Sequence, residues 1–124
     1  MIQLDADYLI LGILESTPQN ADLRSWLSQG EMVSTSAIAW MEFVTGPASP
    51  TIVESVRQLL ENRIVPIGPD EAELAARLFN SAGRRRALRY DCLVAATAMG
   101  SGARLATANR SDFSLFLPHG LELA

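Results

Sequence analysis

The sequence has no lysine. All ten of its basic side chains are arginine, so no lysine ammonium can neutralise a buried acid. It has one cysteine, Cys92, and one histidine, His119. One thiol cannot close an internal disulfide, and a single His and Cys cannot furnish the nitrogen and sulfur ligands of a zinc site. The apolar neighbours of Cys92 predict a buried small residue rather than a reactive thiol. Long hydrophobic runs are also missing: Tyr8–Leu14 and Ala37–Val44 are interrupted by Gly12 and Glu42 and are too short to span a bilayer. No basic stretch precedes the first apolar run, so a signal peptide is not expected and a cytoplasmic location is. The net charge of −4 excludes a protein that grips nucleic acid through a uniformly basic surface.

What is present is the composition of a folded chain. Hydrophobic residues make up 48% and charged residues 19%, a balance that excludes a disordered tail. At 124 residues, with no linker or repeat, one domain spanning 1–124 is expected. The positive charge is concentrated: Arg84, Arg85, Arg86 and Arg89 stand close together, with Asp91 just after them.

Short apolar runs alternate with helical spacings. Ile2–Leu4 reads as a buried strand, followed by a helix from about Tyr8 to Glu15 that Pro18 ends. Asn20 is placed to cap a second helix carrying Leu23, Trp26 and Leu27, with Gly30 as its stop. Glu31–Ser34 reads as a strand, and Ser36 caps an apolar helix through Val44, closed by Gly46 and Pro47. Pro50 with a Thr51/Glu54 capping box opens the next helix. Ile64–Ile67 reads as a strand that Pro66 confines to an edge or an end. Ala72 to Ala82 and Leu93 to Met99 follow as helices, and Leu105–Thr107 and Leu121–Leu123 as strands. Strands joined by helical crossovers imply a parallel sheet with helices on both faces, which binds ligands beyond the carboxyl ends of its strands.

Three acids stand where acids are out of place. Asp5 directly follows the first strand, at the expected rim of a site, although an Asx turn is an equal explanation for it alone. Glu42 lies in Ala37–Val44 with apolar neighbours on nearly every helical face, where a solvated carboxylate is hard to place. Asp91 opens an otherwise apolar helix and, taken alone, reads as a cap. Gathered at one place, two carboxylates about 4 Å apart repel by about 4 kcal/mol at an effective dielectric near 20, and call for a proton or a cation. A hard divalent ion with oxygen ligands, Mg2+ or Mn2+, meets that need and can activate water towards a phosphodiester.

Four blocks carry a resemblance: Leu4-Asp5-Ala6-Asp7, Ser36 to Glu42, Asp91 to Ala98, and Thr107 to Phe113. In order and spacing they are similar to the signature blocks of PIN-domain ribonucleases, and the match spans nearly the whole chain. The resemblance implies a three-layer α/β/α fold with a central, mainly parallel sheet, and Mg2+- or Mn2+-dependent endonuclease activity on RNA. It further implies the toxin half of a VapBC-like toxin–antitoxin pair, a homodimer held inactive by a cognate antitoxin. Asp5, Glu42 and Asp91 match the family's three acidic metal-site residues. The fourth acid is expected after the Thr of the last block, where this sequence has Asn109, with Asp112 three residues on. Thr107 reads as a supporting hydroxyl, and Asp7 as a helix-start cap.

Arg85, Arg86, Arg89 and Arg110 are the candidates for contacting RNA phosphates, against the plainer reading of a solvated charged run. His119, between Pro118 and Gly120, reads as a turn residue, and Trp26 and Trp40 as core. Two other functions remain open at this level. A non-catalytic PIN-like module binding RNA or protein is kept in play by Asn109. A haloacid-dehalogenase-like phosphatase is suggested by Leu4-Asp5-Ala6-Asp7 but opposed by the lack of the lysine such enzymes use.

Overall fold

A computed structural model describes residues 1–124. Its sheet has four parallel strands, β1 (Ile2–Leu4), β2 (Val33–Ser36), β3 (Ile64–Val65) and β4 (Arg104–Ala106), in the order β3-β2-β1-β4. Leu4 lies level with Thr35 on one side and with Ala106 on the other. The chain leaves β1 towards β2 and later returns to the opposite side of β1 as β4. The switch of direction therefore falls between the carboxyl ends of β1 and β4, where such sheets open a crevice.

Side chains alternate across the strands and make two cores. Ile2, Leu4, Val33 and Ala106 face one way, onto Tyr8 and Leu9 of α1 (Ala6–Leu11), Leu23 of α2 (Pro18–Ser28), Phe43 of α3 (Ala37–Val44) and Val56 of α4 (Pro50–Leu59). Leu105 faces the other way, onto α5 (Pro69–Ser81), α6 (Arg89–Gly100) and the aromatic pair Phe113 and Phe116. Gln3 is buried on that second face, and its Nε2 donates to the Val94 carbonyl at 3.0 Å, fixing α6 across β1. Helices thus cover both faces of the sheet, giving the expected three-layer α/β/α arrangement. No helix is long and apolar enough to cross a membrane.

Several element boundaries differ from expectation, and proline explains most of them. Pro18 is the first residue of α2 rather than the end of the preceding helix, which stops at Leu11. Proline suits that position because its missing N–H has no helical partner there in any case. The cap is consequently Thr17, not Asn20: its Oγ1 accepts from the Asn20 N–H at 3.0 Å. Likewise Ser49, not the Thr51/Glu54 pair, caps α4, its Oγ accepting from the Ile52 N–H, and α5 begins at Pro69 rather than Ala72. The second strand lies at Val33–Ser36, two residues later than the expected Glu31–Ser34. The third is confined to Ile64–Val65, at the sheet edge where Pro66 required it. Leu121–Leu123 contributes only one parallel bridge, Leu123 to Leu105.

Thr17 also donates its hydroxyl to the Leu11 carbonyl at 2.7 Å, so it joins the end of α1 to the start of α2. Replacing Thr17 by Ala is expected to destabilise the protein by about 1 kcal/mol, read by urea unfolding. An unchanged midpoint would show the cap to be idle.

Candidate functional site

Asp5 follows β1 directly and caps α1, with Oδ1 accepting from the Ala6 N–H at 2.9 Å. Its own N–H donates to the Ala106 carbonyl, which holds it against the end of β4. Thr107, the residue after β4, donates its hydroxyl to Asp5 Oδ2 at 2.8 Å and accepts from the Asn109 N–H. Asp5 and Thr107 are both buried at the switch point between β1 and β4. Asp7 is not the cap of α1. Its Oδ2 reaches the Ala108 N–H at 3.0 Å and lies 3.4 Å from Thr107 Oγ1.

Asp91 lies in the first turn of α6 and is not its cap either, because a short 3-10 turn over Arg86–Leu88 leads into the helix and leaves Leu88 at the cap position. Released from capping, the Asp91 carboxylate makes no side-chain hydrogen bond and no ion pair within the chain. Its pKa is pushed up to about 6, by burial first and then by the charges of Asp5, Asp112 and Glu42. The start of a helix ordinarily favours a carboxylate, so burial and the neighbouring acids outweigh the helix here.

Glu42 sits in the second turn of α3, a helix started by Ser36, whose Oγ accepts from the Ala39 N–H. The structure corrects the reason for singling it out, since Glu42 is exposed. Its apolar neighbours are exposed as well, Met41 by 43% and Val44 by 44%, so α3 turns an apolar face outward beside the acid. The Glu42 carboxyl is nevertheless raised, by partial desolvation and then by Asp5 and Asp7. Asp5 is raised chiefly by burial, with Thr107 and the Ala6 N–H opposing and Asp7 adding to the rise.

The last block divides its work. Asn109 Nδ2 donates to Asp112 Oδ2 at 3.0 Å, and Asp112, in the short helix α7 (Arg110–Phe113), is the acid whose charge reaches Asp91. Asn109 thus orients Asp112. Elements distant in sequence therefore bring Asp5, Asp7, Glu42, Asp91 and Asp112 into one electrostatic neighbourhood, and none of the five is paired with an arginine.

The side chains as they stand do not close a coordination shell: no three Asp, Glu, His or Cys groups converge at ligating distance on one point. Mutual repulsion of uncompensated carboxylates opposes such closure. The donor chemistry fits a hydrated hard cation, because every group is an oxygen ligand and Mg2+ typically retains several waters while taking one or two carboxylates.

The arginines separate in the same way. Gly83 and Arg84 both adopt positive φ, +81° and +59°, and turn the chain sharply after α5. Arg84 is held by Asn80 Oδ1 and lies over the Phe79 ring, 5.5 Å from its centroid. Arg85 and Arg86 are exposed and make no side-chain hydrogen bond or ion pair, and Arg89 borders an apolar hollow between α5 and α6. Arg110 donates to the Ala124 carbonyl at 2.9 Å. His119 is exposed at a turn closed by Gly120, Cys92 is buried, and Trp26 and Trp40 pack against the first core.

The sequence profile of the PIN domain matches residues 2–115. The chain belongs to the PIN domain family. Solved structures resemble it in fold over nearly its whole length. FitAcB from Neisseria gonorrhoeae is 24% identical with a TM-score of 0.73, covering 99% of this chain and 96% of that one. A toxin–antitoxin complex from Klebsiella pneumoniae is 24% identical with a TM-score of 0.74, covering 92% and 91%. VapBC-1 from nontypeable Haemophilus influenzae is 20% identical with a TM-score of 0.72, covering 100% and 97%. At these identities the likeness is one of fold. No match was found among curated proteins. Membership of the PIN family sets aside the haloacid-dehalogenase-like alternative.

Within this PIN domain, one contact escaped the sequence reading. The tie between Asp7 and Ala108 joins residues 101 apart, and local pattern gives no sign of it. Two acids spaced Asp5-Ala6-Asp7 after a strand were the only available hint.

Proposed function

We propose that this PIN domain is a divalent-metal-dependent endoribonuclease, the toxin of a VapBC-like toxin–antitoxin pair. The observation that carries the reading is Asp91: a carboxylate at the mouth of the β1–β4 crevice, without any partner, pushed up to about 6 by burial and by Asp5, Asp112 and Glu42. A group in that state stays ionised at neutral pH only against the field of its neighbours, and a cation relieves the repulsion. Asp5, Glu42 and Asp91 are the residues that would hold Mg2+ or Mn2+, with Asp112 completing the set and Asn109 orienting it. When bound, the ion supplies activation of water and neutralisation of phosphate charge. Thr107 keeps Asp5 oriented through its hydroxyl.

Arg85 and Arg86 support the choice of substrate class. They are exposed, unpaired guanidinium groups in the turn that leads into α6, the helix that carries Asp91, and are suited to phosphate oxygens of an RNA strand. The partner reading is supported by exposed apolar surface: Ile10, Ile13, Leu14 and Ile52 line adjoining grooves between α1 and α4. Such patches mark protein contacts more often than solvent-facing skin. The similar folds from Klebsiella and Haemophilus belong to a toxin–antitoxin complex and to VapBC-1. The protein is accordingly proposed as a cytoplasmic homodimer bound by a cognate antitoxin.

The direct test is incubation of the purified chain with single-stranded RNA. Cleavage is expected with Mg2+ or Mn2+ and none with EDTA. Cleavage that survives chelation, or metal-loaded protein that binds RNA without cutting it, overturns the assignment, the latter in favour of a binding module. The arginines give a separate prediction. Replacing Arg85 and Arg86 together by Ala is expected to weaken RNA binding for all sequences alike and to reduce the slope of log affinity against log salt by about 1.4, from about 0.7 per lost phosphate contact on a single strand. An unaltered slope would return the pair to plain solvation.

A further inference from the structure

Asp7 is a second aspartate at the switch point, two residues beyond Asp5 and half-buried. Its Oδ2 is occupied by the Ala108 N–H at 3.0 Å and lies 3.4 Å from Thr107 Oγ1, the hydroxyl that already donates to Asp5 at 2.8 Å. That hydroxyl has one proton to give, and the shorter contact places it on Asp5. The other oxygen of Asp7, Oδ1, is enclosed and closes no hydrogen bond; the Tyr8 N–H, which eases the charge of this carboxylate, is committed to the Asp5 carbonyl at 3.0 Å. Carboxylate oxygens are seldom enclosed without a donor, and one that is, beside a second acid, is suited to an ordered water or an ion. Asp7 therefore does two things that a helix cap does not. It staples the turn after β4 to the start of α1, and it keeps an unsatisfied anionic oxygen beside Asp5.

We propose that Asp7 is a positioning residue of the cation site, fixing the Thr107–Asn109 turn with one oxygen and contributing to the ion's outer ligand layer with the other. Resting on the metal-site reading above, this supplies negative charge that the neutral Asn109 does not. It also gives a purpose to the turn: Asn109, whose N–H is held by Thr107 and whose side chain orients Asp112, is fixed through the same staple.

Asn in place of Asp7 retains an oxygen acceptor for the Ala108 N–H but removes the charge, which separates the two roles. The experiment is Mn2+ titration by calorimetry on the full chain without RNA, comparing wild type, Asp7→Asn, Asp7→Ser and Asp5→Asn. Amide exchange at Ala108 reports whether the staple survives. The expected result is Asp5→Asn losing Mn2+ binding and Asp7→Asn weakening it by about tenfold, the scale on which outer-layer partners act, with Ala108 still protected. Asp7→Ser, with its short neutral hydroxyl, is expected to weaken binding at least as much and stands in should the Asn variant fold poorly. Wild-type affinity in a folded Asp7→Asn or Asp7→Ser protein, alongside loss in Asp5→Asn, overturns the role of Asp7 and leaves the site intact. No Mn2+ binding by wild type overturns both.

Discussion

Replacing Asp5 by Asn, Glu42 by Gln or Asp91 by Asn is expected to lower the proposed RNA cleavage by at least about a hundredfold while leaving the fold intact. The size follows from the electrostatic work assigned to these groups: removing one fixed charge or dipole aimed at a reacting centre typically costs two to three orders of magnitude in rate. None of the three forms an ion pair, so no opposite charge is orphaned by neutralising them. Glu42 is exposed and Asp91 bonds to nothing in the chain, so neither substitution removes a structural contact. Asp5 is the demanding case, because it caps α1 with one oxygen and accepts from Thr107 with the other; asparagine remains a favoured cap, its single carbonyl oxygen accepting from the Ala6 N–H, while its amide nitrogen turns a donor towards the Thr107 hydroxyl and gives up that one bond. Single-turnover cleavage of a defined RNA, with circular dichroism as a fold control, is the measurement. Full activity in any two of the folded variants removes the assignment.

Asp91→Asn has a second expected consequence, opposite in sign to the first: the metal-free protein becomes more stable at neutral pH. The Asp91 carboxyl is raised from the ordinary 3.8 to about 6 in the folded state. The fold therefore binds that proton more tightly than the unfolded chain does. The stability linked to it is present below about pH 4 and is lost as pH rises through 6. Asn is uncharged throughout and keeps what the aspartate loses. Discounted for solvent screening at a site that is not fully buried, the gain at pH 7 is about 1 kcal/mol, or a few degrees in the melting temperature. Wild type and variant should converge near pH 4. Asp5, Asp7 and Glu42 are raised in the same direction, so wild-type stability without metal should climb on mild acidification from pH 7. Mn2+ should reverse the ranking at neutral pH by stabilising wild type alone. Below pH 6 the ion must displace a proton from Asp91, and its apparent affinity should fall about tenfold per pH unit. A variant less stable than wild type in EDTA at pH 7 would contradict the electrostatic description of the site.

Much of the architecture follows from periodicity. Ile2–Leu4 is short and buried on both faces, as parallel strands are, Leu105 and Ala106 of β4 are buried beside it, and the amphipathic stripes of α4 and α5 leave little choice but to cover them. The crevice then falls at Asp5 by topology alone. Helix starts were less legible because a proline punctuates in two senses. In Thr17-Pro18, Ser49-Pro50 and Gly68-Pro69 it opens a helix whose cap is the residue before it, whereas read as a breaker Pro18 misplaces both the end of α1 and the start of α2. Glu42 illustrates a different limit. Apolar neighbours along a helix imply burial only when the helix is enclosed, and α3 presents Met41 and Val44 to the outside. The acids' mutual approach, and the long-range staple from Asp7 to Ala108, depend on where β4 docks and lie beyond any local pattern.

The proposed nuclease requires its gathered acids to capture a divalent ion. Crystals of the protein soaked in Mn2+ above pH 7, with data collected at the manganese absorption edge, give the most direct reading. One anomalous peak is expected in the crevice beyond β1 and β4, in contact with Asp5 and Asp91 and flanked by Glu42 and Asp112, and absent from Asp5→Asn crystals. A crevice without a peak at saturating Mn2+, or one that binds equally well after Asp5→Asn, would contradict it.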